Sequence, residues 1–266
     1  MEIKRVVAIA GSDPSGGAGL EMDVLALSEI GVFPYFALTC VTAQNSEGIR
    51  AVENIDPEFV IEQLDSILAE GDIAAVKIGM LGSRGNTEAV ASFFEERGVS
   101  NLVVDPILVA SDGTELLSST AFSILKIRLF PLATIVTPNL SEAERLAGFG
   151  ISDLEGMKKA CKAIHIFGSR WVLIKGGHLR GSECVDVLFD GDKYYQFTSK
   201  KIDTGDVRGT GCIFAAALAA SLAKGDDVPR ACEKAKRYVT SKIRHACQVG
   251  KGSRQTLPLG LIEQMA

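Results

Sequence analysis

Short apolar segments of β type alternate with helical segments along almost the whole chain. Strand candidates lie at 6–10, 36–41, 74–79, 102–104, 134–136 and 171–177, and helical periodicity is found at 20–30, 59–68, 87–97, 118–125 and 154–166. Continuous apolar strands that alternate with helices build parallel sheets covered on both faces. The pattern therefore predicts an α/β fold with three layers, α/β/α, around a mostly parallel central sheet.

The order of elements changes late in the chain. Strand candidates at 184–189 and 194–198 flank an Asp-Gly-Asp run at 190–192, which is a hairpin turn signal. An Ala-rich helix to about 223 and a last helix over 229–249 follow, while 42–46 and the segment from 250 are predicted as loops. No internal repeat or low-complexity linker divides the 266 residues, so we expect a single domain, 1–266.

The composition excludes several classes of protein. With 47% hydrophobic and 23% charged residues the chain is globular, and a net charge of −5 argues against a nucleic-acid binder. Six scattered cysteines without a C-x-x-C pair, and only three histidines, argue against structural zinc and are typical of reduced thiols. The apolar run near the N-terminus is too short for a signal peptide, and no apolar span of about 18 residues occurs. We therefore expect a cytoplasmic protein that does not contact membranes.

The junction before the Ala-rich helix is the sharpest local signal. Gly209, Thr210, Gly211 and Cys212 run directly into that helix, and the two glycines leave their backbone N–H groups unshielded. The first N–H groups of a helix lack partners and carry positive potential, so this junction is suited to an anion such as phosphate. Cys212 has two interpretations: a small buried helix residue, or a thiol whose pKa the helix N-terminus lowers so that it can serve as a base.

A glycine-rich turn follows the first predicted strand. It begins at Gly11 and runs to 19, but it has neither the Lys-Ser/Thr ending of a P-loop nor the G-x-G-x-x-G spacing of a dinucleotide site. The turn either lets a helix pack closely on the sheet or lets the backbone approach a ligand. Asp13 in the turn and Asp23 in the following helix favour the ligand, since Asp has no propensity reason to lie inside a helix.

One candidate ligand-binding residue follows each of the strand candidates 36–41, 74–79 and 102–104. Gln44 could read the edge of a heterocycle with its amide, or be a solvated loop residue. Met80 could line a ligand or belong to the core. Asp105, at a strand end, could hold a hydrated Mg²⁺, or cap the turn before a proline.

The last two strand ends carry groups suited to phosphates. Asn139 and Glu142 could cap the next helix, which explains both residue types without any ligand. Lys175 stands beside the backbone amides of Gly176 and Gly177, a combination that suits a nucleotide phosphate. If the sheet is parallel, all these groups share its carboxyl edge. Carboxylates for Mg²⁺, a lysine, an anion hole and a base are the parts of a kinase site.

Seven motifs, in order along nearly the whole chain, resemble one family. They occupy 10–19, 41–45, 77–81, 104–106, 137–143, 175–178 (Lys-Gly-Gly-His) and 209–212. The chain thereby resembles the hydroxymethylpyrimidine/phosphomethylpyrimidine kinases, the thiamin-pathway members of the ribokinase-like superfamily. The resemblance implies a ribokinase-like fold, ATP and Mg²⁺ as cofactors, a homodimer, and phosphorylation of 4-amino-5-hydroxymethyl-2-methylpyrimidine and then of its monophosphate.

The resemblance also implies roles for particular residues. Gln44 would read the pyrimidine, with Met80, the Gly11 turn and Asp23 on the substrate side. The nucleotide and its phosphates would contact residues near the later strand ends, namely Asn139, Glu142, Lys175, Gly177 and Arg208. Mg²⁺ would be held by Asp105 and Glu142. The run from Gly209 to Cys212 would supply the anion hole and the catalytic base.

Three positions depart from the family pattern. Arg208 stands where His is frequent, Ile213 where Thr is frequent, and Leu20-Glu21-Met22 where Gln-Ala is usual before Asp23. Arg208 could add charge at the phosphates or solvate its loop. The departures leave open whether both phosphorylations occur. The alternatives are a pyridoxine- or pyridoxal-type kinase and a non-catalytic nucleotide- or pyrimidine-binding module. Gln44 and Met80 favour the pyrimidine.

Overall fold

The computed structural model describes residues 3–110, 113–177, 179 and 181–257, so His178 of the Lys-Gly-Gly-His motif lies outside the described residues. A nine-stranded sheet crosses this part of the chain in the order β3-β2-β1-β4-β5-β6-β7-β8-β9. Its strands are β1 (Arg5–Ser12), β2 (Phe33–Asn45), β3 (Gly48–Asn54), β4 (Ala75–Ile78), β5 (Leu102–Val104), β6 (Ile135–Val136), β7 (Trp171–Ile174), β8 (Glu183–Phe189) and β9 (Tyr194–Lys200). From β2 to β7 every neighbouring pair is parallel. The predicted mostly parallel sheet is confirmed.

Helices cover both faces of this sheet. They are α1 (Gly19–Glu29), α2 (Pro57–Ala69), α3 (Arg84–Arg97), α4 (Ser119–Ile124), α5 (Leu140–Ala147), α6 (Leu154–His165), α7 (Thr210–Ala223) and α8 (Val228–Arg244), and α4 continues into a π-helical turn (Leu125–Leu129) and a 3-10 turn (Phe130–Leu132). Side chains alternate along each strand: Val7 and Ile9 face the core beneath α2 to α6, whereas Val6 and Ala8 face the core beneath α1, α7 and α8. The three layers are therefore those predicted. Among the described residues no helix is both long and apolar enough to cross a membrane.

The Ala-rich composition of α7 fits its position in the molecule. Every residue from Cys212 to Ala223 is buried, so the helix has no solvent-facing side. Alanine favours the helix and is small enough to let α1 and α8 approach closely. Ile213, one of the departures, is fully buried in this core. The N-terminus of α7 is thereby fixed by packing.

The late antiparallel hairpin is also confirmed. β8 pairs antiparallel with β7, and β9 pairs antiparallel with β8. The Asp190 carboxylate accepts hydrogen bonds from the N–H groups of Asp192 and Lys193, and Gly191 has a φ of 102°, a conformation that favours glycine.

Two predicted loops and one helix end were wrong. The segment 42–46, predicted as a loop, mostly belongs to β2, because Thr42 to Asn45 pair with β3 across a tight turn. The last helix ends at Arg244 instead of near 249, and Cys247 then pairs with Gln255. In the predicted loop after 250, β11 (Arg254–Gln255) pairs in parallel with β10 (Val207–Arg208), which directly precedes α7.

Candidate active site

An ion pair lies at the carboxyl edge of the parallel strands. The Lys175 ammonium, after β7, contacts the Asp105 carboxylate, after β5, at 2.7 Å. Thr137, after β6, donates its hydroxyl to the same Asp105 oxygen at 3.1 Å. Three neighbouring strand ends thus meet as the parallel topology requires.

The N-terminus of α7 faces this ion pair. A Cβ on Gly211 would lie 3.3 Å from the Lys175 ammonium and 3.6 Å from the second Asp105 oxygen. Gly209 caps the helix in a left-handed conformation, φ 74°, and any side chain there would run into the carbonyl of Gly17. Because this cap has no side chain, the first N–H groups of α7 remain open toward Lys175 and Asp105, which gives an anion site beside a cation.

Asn139 and Glu142 form a complete capping box at the start of α5. The Asn139 side chain accepts from the Glu142 N–H at 2.9 Å, and the Glu142 carboxylate accepts from the Asn139 N–H at 2.7 Å. Burial raises the pKa of Glu142 to about 8; Lys175 lowers it, and Asp105 raises it further. Glu142 therefore has a structural role and is also one of two carboxylates that share a single lysine.

The described part of the chain holds no cluster of three or more His, Cys, Asp or Glu side chains placed to bind a metal. Mg²⁺, however, usually takes one or two protein carboxylates and completes its shell with water and phosphate oxygens. Asp105 and Glu142 fit that mode, because both carboxylates lie close enough to the Lys175 ammonium to act on it, so they supply two oxygen ligands at one place. These two residues fit the metal site that the sequence indicated.

Cys212 is nearly buried in the first turn of α7. Burial raises the pKa of its thiol to about 11; Lys77 lowers the pKa, while Asp23 and Asp105 raise it. The expectation that the helix N-terminus would lower this pKa is therefore wrong for the free protein. The thiol is protonated at neutral pH because it has lost more hydration than the local positive charges replace.

A second ion pair, buried behind Cys212, was missed by sequence reasoning. Lys77 in β4 and Asp23 in α1 contact each other at 2.6 Å, and both side chains have no exposed area. Burial lowers the pKa of Lys77, but Asp23, then Cys212 and Asp105, raise it above its ordinary value. A lysine in an otherwise apolar strand was the available signal. Asp23, expected on the substrate side, instead points into this pair.

The predicted substrate-side residues lie near the ends of β1, β2 and β4. A Cβ on Gly11 would lie 2.5 Å from the Cys40 sulfur and 3.4 Å from the Met80 sulfur. Met80 is 8% exposed and packs with Cys40. Gln44 is half-buried at the end of β2, two residues after Thr42, whose hydroxyl donates to the Ser12 carbonyl at 3.0 Å. Gly11 and Met80 are thus adjacent, and the strand that carries Gln44 runs beside the start of the glycine-rich turn.

Two predicted nucleotide contacts have other partners. The Gly176 N–H donates to Asp186 at 2.9 Å, so only the amide of Gly177 remains from the expected pair beside Lys175. Arg208 pairs with Asp13 at 3.0 Å and is 8% exposed, so it is not a solvated loop residue, and its predicted contact with the phosphates stays a prediction. The sequence showed both residue types but not the long-range partners that occupy them.

A lysine, two carboxylates and an open helix N-terminus at one sheet edge define a phosphotransferase of the α/β class. Comparison of the sequence with known proteins shows which family of phosphotransferases this is. The chain belongs to the phosphomethylpyrimidine kinase family, whose model matches residues 13–257. The family and the kinase class expected from the motifs are confirmed.

Two curated relatives show how much of the chain is shared. It is 44% identical over 247 residues to a thiamine biosynthesis bifunctional protein from Geobacter sulfurreducens, covering 93% of this chain but 50% of that protein. It is 40% identical over 257 residues to a hydroxymethylpyrimidine/phosphomethylpyrimidine kinase from Mycobacterium bovis, covering 96% of this chain and 94% of that protein. The chain thus spans half of the bifunctional relative and nearly all of the other.

A solved structure shares the fold over the full length. It is an ADP complex of pyridoxal kinase from Bacillus subtilis, with a TM-score of 0.90, 34% identity, and coverage of 98% of this chain and 100% of that chain. The ribokinase-like fold is confirmed.

Proposed function

We propose that the protein transfers the γ-phosphoryl group of ATP to the hydroxymethyl group of 4-amino-5-hydroxymethyl-2-methylpyrimidine, to the monophosphate of that compound, or to both, in thiamine biosynthesis. The observation that carries the proposal is the Lys175–Asp105 pair facing the open N-terminus of α7. The names of the relatives supply the acceptor, and its ring would lie beside Gln44, Met80 and Gly11.

Charge stabilisation supplies most of the catalysis in this proposal. The N–H groups of 209–212 and the Lys175 ammonium would face the oxygens of the transferring phosphoryl group, where negative charge collects. Phosphoryl transfer is loose, so positioning and charge contribute more than proton removal. Cys212 accepts the hydroxyl proton only in the fraction of molecules whose thiol has ionised, so its contribution rises with pH toward about 11.

Asp105 and Glu142 would hold Mg²⁺ in this proposal, with Asn139 fixing Glu142 through the capping box. The metal would neutralise phosphate charge and orient the nucleotide. Gly177 and Lys175 would lie beside the phosphates. Asp23 supports the substrate side indirectly, by fixing Lys77 next to Cys212.

Phosphorylation of three acceptors with Mg-ATP tests the proposal: the pyrimidine alcohol, its monophosphate, and pyridoxal. We expect the highest kcat/KM with one or both pyrimidines. Pyridoxal as the best acceptor would favour the second candidate, which the full-length likeness to a pyridoxal kinase supports. Binding of ATP and pyrimidine without phosphorylation of any acceptor would identify a binding module and refute the kinase activity.

The cellular location and the oligomeric state complete the proposal. We propose that the protein acts in the cytoplasm, and the six free cysteines agree with a reducing compartment. A homodimer is the assembly we expect, and β2 offers a surface for it, because Phe33, Phe36 and Val41 are exposed on this strand. Light scattering across a concentration series would measure the molar mass and contradict the dimer if the chain stays monomeric.

A further inference from the structure

Arg208 links segments that lie far apart in the sequence. One of its terminal nitrogens contacts the Asp13 carboxylate at 3.0 Å, and the other donates to the Asn45 carbonyl at 2.7 Å and to the Ser15 hydroxyl at 3.2 Å. The side chains of Arg208 and Asp13 are 7% and 3% exposed. A planar guanidinium can hold several acceptors in fixed directions, which a lysine cannot do.

Glu21 also holds the start of the glycine-rich turn. The first residues of α1 bring the Glu21 carboxylate to the Ser12 hydroxyl and to the Asp13 N–H, the latter at 2.8 Å. Asp13 is therefore fixed through its backbone by Glu21 and through its side chain by Arg208. Glu21 and Arg208 are two of the three departures from the family pattern, and they act on the same residue.

The segment after α8 closes over these contacts. Arg208 pairs with Gln255 between β10 and β11, and a Cβ on Gly17 would lie 3.1 Å from the Gln255 side chain. The Gly252 N–H donates to the Ser46 hydroxyl at 3.0 Å. The glycine-rich turn, the β2–β3 turn and the chain after α8 thus converge on Arg208.

We propose that Arg208 is a positioning residue. It holds the residues on the pyrimidine side, Gln44 and the turn that begins at Gly11, in a fixed position relative to the phosphoryl-transfer site at 209–212. It directly precedes Gly209 at the anion hole and anchors Asn45, the neighbour of Gln44. Through Asp13 it also fixes the turn that begins at Gly11. This inference rests on the proposed function for its substrate, while the arrangement it describes is a property of the free protein.

Arg208→Met tests the inference through both kinetics and hydrogen exchange. We expect KM for the pyrimidine to rise on the order of 10- to 100-fold, since small misplacements near a reacting centre carry such costs, while KM for ATP changes less than about threefold. The amides of Ser15 and Gly16, which now donate to the Asp13 carboxylate and carbonyl, should exchange faster with solvent. Arg208→Lys should recover part of both effects through Asp13 alone.

Asp13→Asn combined with Arg208→Met should be no worse than the more severe single variant, because both remove the same link. Arg84→Met is the matched control, since Arg84 pairs with Glu88 on the surface of α3, and this variant should leave KM and exchange unchanged.

An unchanged pyrimidine KM together with unchanged exchange at 15–16 would overturn the inference. If Arg208→Met does not fold, Arg208→Lys and Asp13→Asn decide by the same measurements. If the wild-type protein phosphorylates no acceptor, the proposed function fails and the exchange measurement alone judges Arg208.

Discussion

At Cys212, two physical effects oppose each other within one residue. The N-terminus of α7 and the Lys77 ammonium favour a thiolate, whereas burial and the carboxylates of Asp23 and Asp105 disfavour it. Burial has the larger effect in the free protein, so the pKa lies at about 11. The residue type and its place at a helix start could be found in the sequence, but the extent of burial could not, because it depends on α1 packing over the thiol.

Cys212→Ser separates proton transfer from the other contributions to catalysis. Below pH 11 we expect kcat of the wild-type enzyme to rise with pH as the thiolate fraction grows, because the folded-state pKa is about 11. The serine variant, whose hydroxyl does not ionise in this range, should lose that rise and turn over on the order of 10²-fold more slowly. The thiolate absorbance difference between the two proteins checks the titration directly. A wild-type pH profile that the variant reproduces would exclude Cys212 as the base.

At the scale of elements, central strands and long helices were predictable, while edge strands were not. β1, β4, β5 and β7 are continuous buried runs whose composition alone marks them. β3 is mostly exposed, and β10 and β11 contain two residues each, so their hydrogen-bonding partners define them. The candidate site divides in the same way. Strand ends such as Asp105 and Lys175 follow from topology, whereas the Lys77–Asp23 and Arg208–Asp13 pairs join residues 54 and 195 positions apart.

The Lys77–Asp23 pair joins β4 to α1, and breaking it should destabilise the fold strongly. Lys77→Met leaves a buried carboxylate without its counter-charge, which costs about 3–5 kcal/mol in the free energy of unfolding. Replacing both residues, as Lys77→Met with Asp23→Leu, should cost much less than the sum, since an apolar pair needs no charge compensation. Urea unfolding of Lys77→Met, Asp23→Leu and the double variant measures this.

The same variant should change how stability depends on pH. The pKa of Asp23 is already raised to about 6 by burial, and losing Lys77 raises it further. A carboxyl with a raised folded-state pKa contributes stability below its unfolded pKa of about 4 and loses that contribution as pH rises through the folded value. Lys77→Met should therefore become less stable from about pH 4 upward. Arg97→Met, which breaks a surface pair with Asp65, is the control and should cost at most about 1 kcal/mol at any of these pH values. If the stability losses of Lys77→Met and Asp23→Leu simply add in the double variant, the charges of Lys77 and Asp23 do not interact.

The start of α5 allows capping and catalysis to be separated. Glu142→Gln keeps an oxygen for the Asn139 N–H and removes only the charge that Glu142 acquires above its pKa of about 8, so stability at neutral pH should change little. Turnover should fall on the order of 10²-fold or more if the carboxylate organises metal and phosphates. Asn139→Ala provides the contrast, because loss of the cap should cost about 1 kcal/mol. Near-normal turnover in Glu142→Gln would restrict Glu142 to the cap.

At the scale of the whole molecule, the two cores are coupled through shared strands. Adjacent residues of one strand, such as Val6 and Val7, belong to cores on opposite faces of the sheet. Unfolding either layer of helices would expose one whole face of every central strand. We therefore propose that the described residues, 3–257 with their short gaps, behave as a single domain, in line with the expectation of one domain over 1–266.

We therefore expect one cooperative unfolding transition. Trp171, the only tryptophan, lies in β7 next to the β8–β9 edge, and its fluorescence should lose the native signal at the same urea concentration as the far-ultraviolet circular dichroism of the whole chain. ATP at about 100 times its Kd should shift both transitions together by about 2.7 kcal/mol, because ligand binding stabilises every part of a cooperative unit equally. A fluorescence transition that precedes the dichroism transition, or that alone fails to shift with ATP, would mean that the β7–β9 edge unfolds separately from the phosphoryl-transfer site.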